Sequence, residues 1–155
     1  MSSIITTTGF ATVDFDKWPE FSRHLLVLLM IIGACSGSTG GGIKVSRVIV
    51  MVKSFFTEIR HIINPSSVTA VRTNGKPMDK ETLIAVRVYV ASYFILICLF
   101  TLVISLNGLD FTTNLTAVLS CFNNIGPGLN LVGPMSNFSC YADWAQVILS
   151  VAMLT

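Results

Sequence analysis

Charged residues are scarce in this 155-residue chain, at 12% of the sequence, about half the share usual in globular proteins. Hydrophobic residues make up 52% of the chain, and the mean hydropathy is +0.73. A chain with so few charged residues has too little polar surface to cover a water-exposed domain. The composition therefore excludes an ordinary soluble protein and predicts one embedded in the lipid bilayer.

Lysine and arginine are absent from residues 107–155, and eight of the ten lie between Lys44 and Arg87. Cytoplasmic loops of membrane proteins carry the excess of these residues, so the loop at about residues 64–82 is predicted to be cytoplasmic. The charges are spread out between two apolar runs, which disfavours a nucleic-acid-binding face. The pattern predicts a multi-pass protein of the lipid bilayer with no nucleic acid partner.

Cysteine and histidine are too few and too scattered for a metal site or an active site. The four cysteines contain no C-x-x-C pair, and the two histidines, His24 and His61, lie far apart in the sequence. Catalysis would also need a nucleophile and a base, and no carboxylate lies in the apolar segments to complete such a group. The chain is therefore predicted not to be an enzyme and to need no cofactor.

The apolar runs predict an all-α membrane fold. The run Leu25–Cys35 covers about half a membrane span, the glycine-rich residues 36–42 stop it, and helical character resumes over Ile43–Ile63. We interpret this pattern as one long helix that is broken inside the membrane. The run Leu83–Leu106 is long enough for a full transmembrane helix, with Arg87 snorkelling to the cytoplasmic interface.

A shorter apolar run, Phe111–Phe122, predicts a helix of about three turns that is too short to span. A glycine loop follows it, and Asp143 then starts another apolar helix. This order of spanning helix, short helix, glycine loop and spanning helix is that of a re-entrant pore unit. Gly9, in a predicted loop over residues 1–16, and Gly126 form a weak internal repeat, because each precedes a tryptophan that opens an apolar helix.

Two short uncharged loops centred on glycine carry the functional prediction: Thr6-Thr7-Thr8-Gly9-Phe10 and Asn123-Asn124-Ile125-Gly126-Pro127-Gly128. Glycine-bearing backbone at membrane depth occurs only where it is buried in protein or lines a water-filled cavity. Rings of backbone carbonyls can replace the hydration shell of an ion such as K+, and glycine freely adopts the φ > 0 conformations that align carbonyls. Neither loop contains an acidic residue, so carbonyl-based selection is favoured, with threonine hydroxyls and asparagine amides beside it and Ile125 bracing the second loop.

The segment from Ser36 to Lys44 is predicted to be an unwound intramembrane stretch that gates the pore. A phosphate-binding loop of the G-x-x-x-x-G-K-[ST] type is excluded, because Ile43 separates the last glycine from Lys44 and Val45 follows. A flexible linker is the remaining alternative. The candidate gate residues are Gly37, Ser38, Thr39, Gly40, Gly41, Gly42 and Lys44.

The two loops and the segment from Cys35 to Lys44, taken in this order, resemble the Trk/Ktr/HKT superfamily of potassium transporters, and most closely its bacterial TrkH/TrkG branch. The resemblance covers nearly the whole chain. It implies a pore surrounded by four M1–P–M2 units, each with an outer helix, a pore helix with its filter loop, and an inner helix, as in potassium channels. It also implies a K+ filter formed here by Thr7, Thr8, Gly9, Asn124, Ile125 and Gly126.

On this resemblance the chain holds a partial third pore unit and most of a fourth. Residues 1–64 would carry a filter strand and the broken M2 helix, and residues 65–82 a cytoplasmic linker. Residues 83–155 would carry the M1 helix, the pore helix, the filter loop and the start of M2 of the next unit. We expect a C-terminal fragment that lacks the first two units and the pore helix before Thr6.

The function implied by the resemblance is K+ uptake across the bacterial inner membrane, through a channel or by symport. Family members work as homodimers and bind a cytoplasmic nucleotide-binding regulatory ring, TrkA in the Trk branch, so the same partners are expected here. K+ is then the transported ion, and no cofactor is implied. Two alternatives remain open: transport of another monovalent cation such as Na+, and a structural membrane domain without transport.

Overall fold

The computed structural model describes residues 2–11, 13–33, 41–64, 72–73, 76–77 and 79–154. Most of these residues lie in helices: α1 (Ser2–Ile5), α2 (Glu20–Ile31), α3 (Val45–Ile63), α4 (Lys80–Ser105), α5 (Phe111–Phe122) and α6 (Asp143–Met153). Short 3₁₀ turns lie at Phe15–Lys17, Asn130–Val132 and Phe138–Cys140. An antiparallel hairpin pairs β1 (Arg72–Thr73) with β2 (Lys76–Pro77).

The helices of the C-terminal half closely follow the apolar runs. Helix α5 begins and ends with its run, and α6 begins at Asp143. Helix α4 begins slightly before its run, because Asp79 lies at the N-cap position. The Asp79 carbonyl accepts a hydrogen bond from the Leu83 N–H at 3.2 Å, while the Asp79 side chain makes no capping bond.

Two short elements correct the expectations from the sequence. Residues 1–16 are predicted as a loop without a pore helix before it, but Ser2–Ile5 forms a helical turn that leads into the first glycine loop. Four residues are too few to show helical periodicity. The linker at residues 65–82 contains the hairpin, which is a small local exception within a fold that is otherwise helical as predicted. In the sequence, Asn74-Gly75 stands between the two strands, and this pair of residues favours a hairpin turn.

The long N-terminal helix is broken in the structure. Helix α2 ends at Ile31, and α3 begins at Val45. A parallel β-bridge between Ile32 and Ile43 holds the two ends together. The Gly33 N–H donates to the Ile43 carbonyl at 3.0 Å, and the Ile43 N–H donates to the Ile31 carbonyl at 3.2 Å. The chain therefore returns at Ile43 to the point that it leaves at Ile32.

Helix α4 is the membrane-span candidate within the described ranges. The stretch of 25 residues from Glu81 to Ser105 is predominantly apolar and long enough to cross a bilayer, and 22% of its most apolar part is buried inside the chain. The buried side chains share one face of the helix and recur at helical spacing: Val90, Tyr93, Ile97 and Ile104. The remaining faces are left for lipid or for further protein segments.

Arg87, which the sequence predicts to snorkel to the interface, also pairs with α3. Its guanidinium forms an ion pair with Glu58 at 2.5 Å and donates to the Ser54 hydroxyl. Nearby, the Arg47 guanidinium lies over the Tyr89 ring, 3.9 Å from the ring centroid. The partners exist because α3 packs along the N-terminal part of α4, which sequence spacing does not show.

Two clusters of buried apolar side chains form the core. The larger cluster joins α4, α5 and α6, with α5 in contact with both of its neighbours and with α2. The smaller cluster joins α1 and α2 to the second glycine loop through Ile4, Leu26, Met30, Ile125 and Leu129. The smaller cluster therefore brings the two halves of the sequence together where the glycine loops lie.

Candidate functional site

The first glycine loop leaves helix α1 through a tight turn. The Thr7 N–H donates to the Ile4 carbonyl at 3.1 Å, and the Thr8 N–H donates to the Ser3 carbonyl at 2.9 Å. Thr7 and Gly9 take positive φ values of 54° and 74°. A β-branched residue rarely adopts positive φ, so the conformation of Thr7 costs on the order of 1–3 kcal/mol that the surrounding structure must offset.

The second glycine loop leaves helix α5 through the same turn, 117 residues later (124 − 7). The Asn124 N–H donates to the Cys121 carbonyl at 3.1 Å, and the Ile125 N–H donates to the Ser120 carbonyl at 2.8 Å. Asn124 and Gly126 take positive φ values of 53° and 103°. Positive φ therefore falls at matching places in the two loops, and the internal repeat in the sequence has a repeated backbone geometry.

The two glycine loops lie directly against each other at Gly9. A Cβ atom added to Gly9 would stand 2.0 Å from the Ile125 carbonyl oxygen and 3.1 Å from Cδ of Pro127. Only glycine permits this approach together with a positive φ. Among the described residues, a Cβ atom added to Gly126 would meet nothing within 4 Å. Gly9 is therefore needed for packing one loop on the other, whereas Gly126 borders open space.

Uncharged oxygen atoms surround the loop backbones. The hydroxyls of Thr6 and Thr8 lie 2.8 Å apart, and the Thr7 hydroxyl donates to the Thr6 carbonyl at 2.8 Å. The Asn124 amide donates to the Met153 carbonyl of α6 at 3.3 Å. In the part of the chain that the structure describes, no three His, Cys, Asp or Glu side chains are grouped to hold a metal ion. The cation ligands that these loops offer are carbonyl, hydroxyl and amide oxygens.

Buried polar side chains of α5 hold the chain as it leaves the second loop. Thr116 is fully buried, and its hydroxyl donates to the Thr112 carbonyl at 2.8 Å and accepts from the Leu129 N–H at 3.1 Å. Gly128 packs closely on this turn, since a Cβ atom there would stand 2.7 Å from Cγ2 of Val132. These contacts fix the exit of the loop to the helix that precedes it.

Behind the second loop, Ile125 and Asn123 are buried. Ile125 packs with Leu26 and Met30 of α2. The Asn123 amide donates to the Met30 carbonyl at 2.9 Å and accepts from the Tyr93 hydroxyl at 3.0 Å. The sequence indicates Asn123 only as a source of amide groups for the loop. The signal that could have revealed this network is Tyr93 itself, because a hydroxyl deep in an apolar helix needs a hydrogen-bond partner.

Three of the predicted gate residues are described by the structure: Gly41, Gly42 and Lys44. The other four lie outside the described residues: Gly37, Ser38, Thr39 and Gly40. A Cβ atom on Gly41 would stand 2.3 Å from the Asn123 carbonyl oxygen, and Gly42 takes a positive φ of 82°. Lys44 lies at the N-cap position of α3 and makes no side-chain capping bond. The end of the glycine-rich segment therefore lies against the base of the second loop.

A charged cluster that the sequence analysis does not identify ties the start of α2 to the turn after the second loop. The Asp16 carboxylate accepts from the Asn130 N–H at 2.8 Å and lies 3.7 Å from the Arg23 guanidinium. Arg23 also donates to the Asn130 side-chain oxygen, and the Asn130 amide donates to the Asp110 carboxylate at 3.2 Å. In the sequence these residues appear only as single charges in an apolar chain. Their pairing is not predicted, because the partners are distant in sequence.

A second buried tyrosine–asparagine pair lies at the other end of α5. The Tyr141 hydroxyl donates to the Asn114 side-chain oxygen at 3.1 Å, and the Asn114 amide donates to the Leu109 carbonyl at 3.0 Å. Burial raises the pKa of Tyr141, and interactions with Cys140 and Cys121 raise it further. The hydroxyl therefore stays protonated and remains a hydrogen-bond donor.

Comparison with known proteins gives these loops a family context. The family model for TrkH, a cation transport protein, matches residues 1–155. The Trk system potassium uptake protein TrkI of Halomonas elongata is 35% identical over 153 residues, and the Trk system potassium uptake protein TrkH of Escherichia coli strain K12 is 33% identical over 152 residues. Each match covers 98% of this chain and 31% of the relative, so the chain spans about a third of their length.

A solved structure, the potassium transporter TrkH from Vibrio parahaemolyticus, matches with a TM-score of 0.86 and 32% sequence identity. The match covers 97% of this chain and 32% of that one. These similarities confirm the resemblance to the TrkH/TrkG branch and the predicted helical membrane fold with pore-loop architecture.

Proposed function

Because the chain belongs to the TrkH family of cation transport proteins, we propose that it forms part of the ion path of a potassium uptake protein. Its relatives are named potassium uptake proteins of the Trk system. The chain spans about a third of their length, so the proposal concerns what this segment contributes. That contribution is one partial and one nearly complete pore unit, joined by the linker at residues 65–82.

The repeated geometry of the two glycine loops is the observation that carries the proposal. Both loops leave a helix through the same turn and take positive φ at matching steps. They also meet at the contact of Gly9 with the Ile125 carbonyl. Two strands of one ion filter would need this combination of equal backbone form and close approach. In this proposal K+ is held by oxygen atoms of Thr7, Thr8, Gly9, Asn124, Ile125 and Gly126.

The electrostatics around the second loop favour a cation. The C-terminal end of α5 leads into this loop, and a helix C-terminus carries a partial negative charge equivalent to about half an elementary charge. Lysine and arginine are absent from residues 107–155, so neither α5 nor the second loop carries a cationic side chain of its own. A monovalent cation is stabilised there without a carboxylate that would bind it too strongly to release.

The break between α2 and α3 supports a gate beneath this filter. Its two described ends are held together by the bridge between Ile32 and Ile43. Gly41 lies against Asn123 at the base of the second filter loop. We place the gate at this break, with Gly41, Gly42 and Lys44 at its described end and residues 37–40 assigned by the family resemblance.

The proposed setting is the bacterial inner membrane, with residues 64–82 on the cytoplasmic side. The concentration of Lys and Arg between residues 44 and 87 supports this orientation. The family resemblance supports a homodimer and a cytoplasmic nucleotide-binding ring similar to TrkA as partners. Light scattering of the purified protein, alone and mixed with such a ring, measures both associations.

Rubidium uptake tests the proposed function. Residues 2–154 replace the matching segment of full-length Vibrio parahaemolyticus TrkH, and the chimera is expressed in a bacterial strain that lacks its own K+ uptake systems. Gly126→Val places a side chain in the open space beside the filter, and Gly108→Val is the matched control. Gly108 also has a positive φ, of 75°, and no described residue lies within 4 Å of an added Cβ atom, but it lies just after the end of α4.

We expect the chimera to take up Rb+ and Gly126→Val to reduce uptake at least about tenfold, which corresponds to about 1.4 kcal/mol. Gly108→Val should retain most of the uptake at equal membrane protein levels. Normal uptake and normal Rb+ over Na+ preference in Gly126→Val would refute the filter assignment. A chimera that carries Na+ in preference to Rb+ would show that the transported ion is sodium, not potassium.

A further inference from the structure

Asn123 links three elements while facing none of the open space beside the filter. It is the first residue of the second glycine loop and is fully buried. Its amide group lies between the Met30 carbonyl of α2 and the Tyr93 hydroxyl of α4. A carbonyl can only accept a hydrogen bond, so the amide nitrogen must face Met30 and the amide oxygen must face Tyr93. The Met30 carbonyl therefore fixes the orientation of the side chain, and the Tyr93 hydroxyl donates to the amide oxygen on the other side.

The Met30 carbonyl belongs to the last turn of α2, just before the helix break. Carbonyls in the last turn of a helix lack an intrahelical partner and must find one elsewhere. Asn123 supplies that partner at 2.9 Å. The backbone of Asn123 contacts the other side of the same break, because its carbonyl oxygen would lie only 2.3 Å from a Cβ atom placed on Gly41. One residue thus touches both ends of the broken helix.

We propose that Asn123 is a positioning residue for ion selectivity. Through the Tyr93 hydrogen bond it fixes the second filter loop to α4, and through Met30 and Gly41 it fixes the same loop to the helix break. The position of the carbonyls at Asn124, the next residue, and beyond then depends on a side chain that never contacts the ion. This inference rests on the proposed function of the loops.

The Tyr141–Asn114 pair provides a matched control within the chain. It also consists of a buried tyrosine hydroxyl, an asparagine side chain and a backbone carbonyl, with closely similar distances of 3.1 Å and 3.0 Å. It lies at the N-terminal end of α5, away from both glycine loops and from the helix break. Removing either tyrosine hydroxyl deletes one buried hydrogen bond, but only Tyr93 acts on the filter loop.

The experiment compares Tyr93→Phe with Tyr141→Phe in the chimera, purified and reconstituted in lipid vesicles. The measured quantity is the ratio of Rb+ to Na+ uptake, which does not depend on the amount of protein inserted. We expect Tyr93→Phe to lower this ratio by about two- to tenfold, the range that loss of one hydrogen bond spans. Tyr141→Phe should leave the ratio unchanged.

A double-mutant cycle separates positioning from general loosening. Gly41→Ala presses a methyl group against the Asn123 carbonyl, so its effect on the ratio should combine non-additively with that of Tyr93→Phe. With Tyr141→Phe it should combine additively. If either phenylalanine variant fails to reach the membrane, Asn123→Leu and Asn114→Leu provide a second comparison without added charge, because each removes both hydrogen bonds of its asparagine side chain.

Two results would overturn the positioning role alone. One is a transporting Tyr93→Phe variant with the parent ratio, and the other is an equal loss of ratio in Tyr141→Phe. If the parent chimera carries no Rb+ above vesicles without protein, the proposed function fails and the positioning role fails with it. The parent measurement therefore distinguishes the two failures.

Discussion

Gly9→Ala tests the packing of the two glycine loops on each other. Gly9 has a φ of 74°, and an added Cβ atom would stand 2.0 Å from the Ile125 carbonyl oxygen. Gly108 has a φ of 75°, and in the described part of the chain nothing lies within 4 Å of an added Cβ atom. Both substitutions place alanine at the same disfavoured φ, which costs about 1–2 kcal/mol. Only Gly9→Ala adds the collision, so the pair isolates it.

The size of the displacement follows from the contact. Real Cβ atoms essentially never approach another heavy atom closer than 3.0 Å, so the Ile125 carbonyl or the first loop must move by at least 1.0 Å (3.0 − 2.0). The partner is backbone, and no flexible side chain can yield instead. A preorganised binding site holds its ligands to within about 0.5 Å. The required movement therefore exceeds what a filter of carbonyl oxygens can absorb.

The assay is the ratio of Rb+ to Na+ uptake in vesicles that contain the chimera. We expect Gly9→Ala to lower the ratio at least about tenfold, equivalent to about 1.4 kcal/mol of lost discrimination. Gly108→Ala should keep the ratio and lower only the unfolding temperature. Equal losses of ratio in the two variants, or no loss in Gly9→Ala, would show that contact between the loops does not set ion selection.

Two further outcomes are expected. Thr116→Val leaves the buried Leu129 N–H without its acceptor and should cost about 1–3 kcal/mol in the free energy of unfolding. Thr113→Val should be neutral or stabilising, because among the described residues the buried Thr113 hydroxyl has no hydrogen-bond partner. Thermal unfolding in detergent measures both variants, and an equal loss of stability in the two would contradict this expectation. Asn64 and Ser136 are both exposed. A membrane-impermeant maleimide should label Asn64→Cys only from the cytoplasmic side and Ser136→Cys only from the opposite side. Labelling of both variants from one side would contradict the proposed orientation.

The sequence predicts α5 and α6 well because their limits are local. An apolar run with a polar residue at each end defines α5, and Asp143 marks the start of α6. Helix α1 is missed because its four residues offer no period to read. The pairing of β1 with β2 is not predicted because the strands are two residues each, so Asn74-Gly75 lacks the flanking alternation that marks a hairpin in a sequence.

In the candidate site, too, features with a local sequence signal can be predicted and features set by distant contacts cannot. Glycine marks Gly9 and Gly126 as places for positive φ, since glycine adopts it without steric cost. Thr7 and Asn124 also take positive φ. For Thr7 the residue type gives no indication of this, because a β-branched residue rarely adopts positive φ. Asn123 lies 30 positions from Tyr93 and 93 positions from Met30 in the sequence. Such contacts are set by the packing of three helices, which no local pattern encodes.

The burial of α5 has a consequence for how the chain enters the membrane. The helix is 12 residues long, and its buried residues include Thr113, Asn114, Thr116 and Ser120. A segment so short and polar cannot partition into lipid as an independent step after it leaves the ribosome. It must wait until α6 has been synthesised and then enter between α4 and α6. Insertion of this region is therefore a joint event of three helices, and we expect a lesion in α6 to leave α5 outside the bilayer, within reach of proteases.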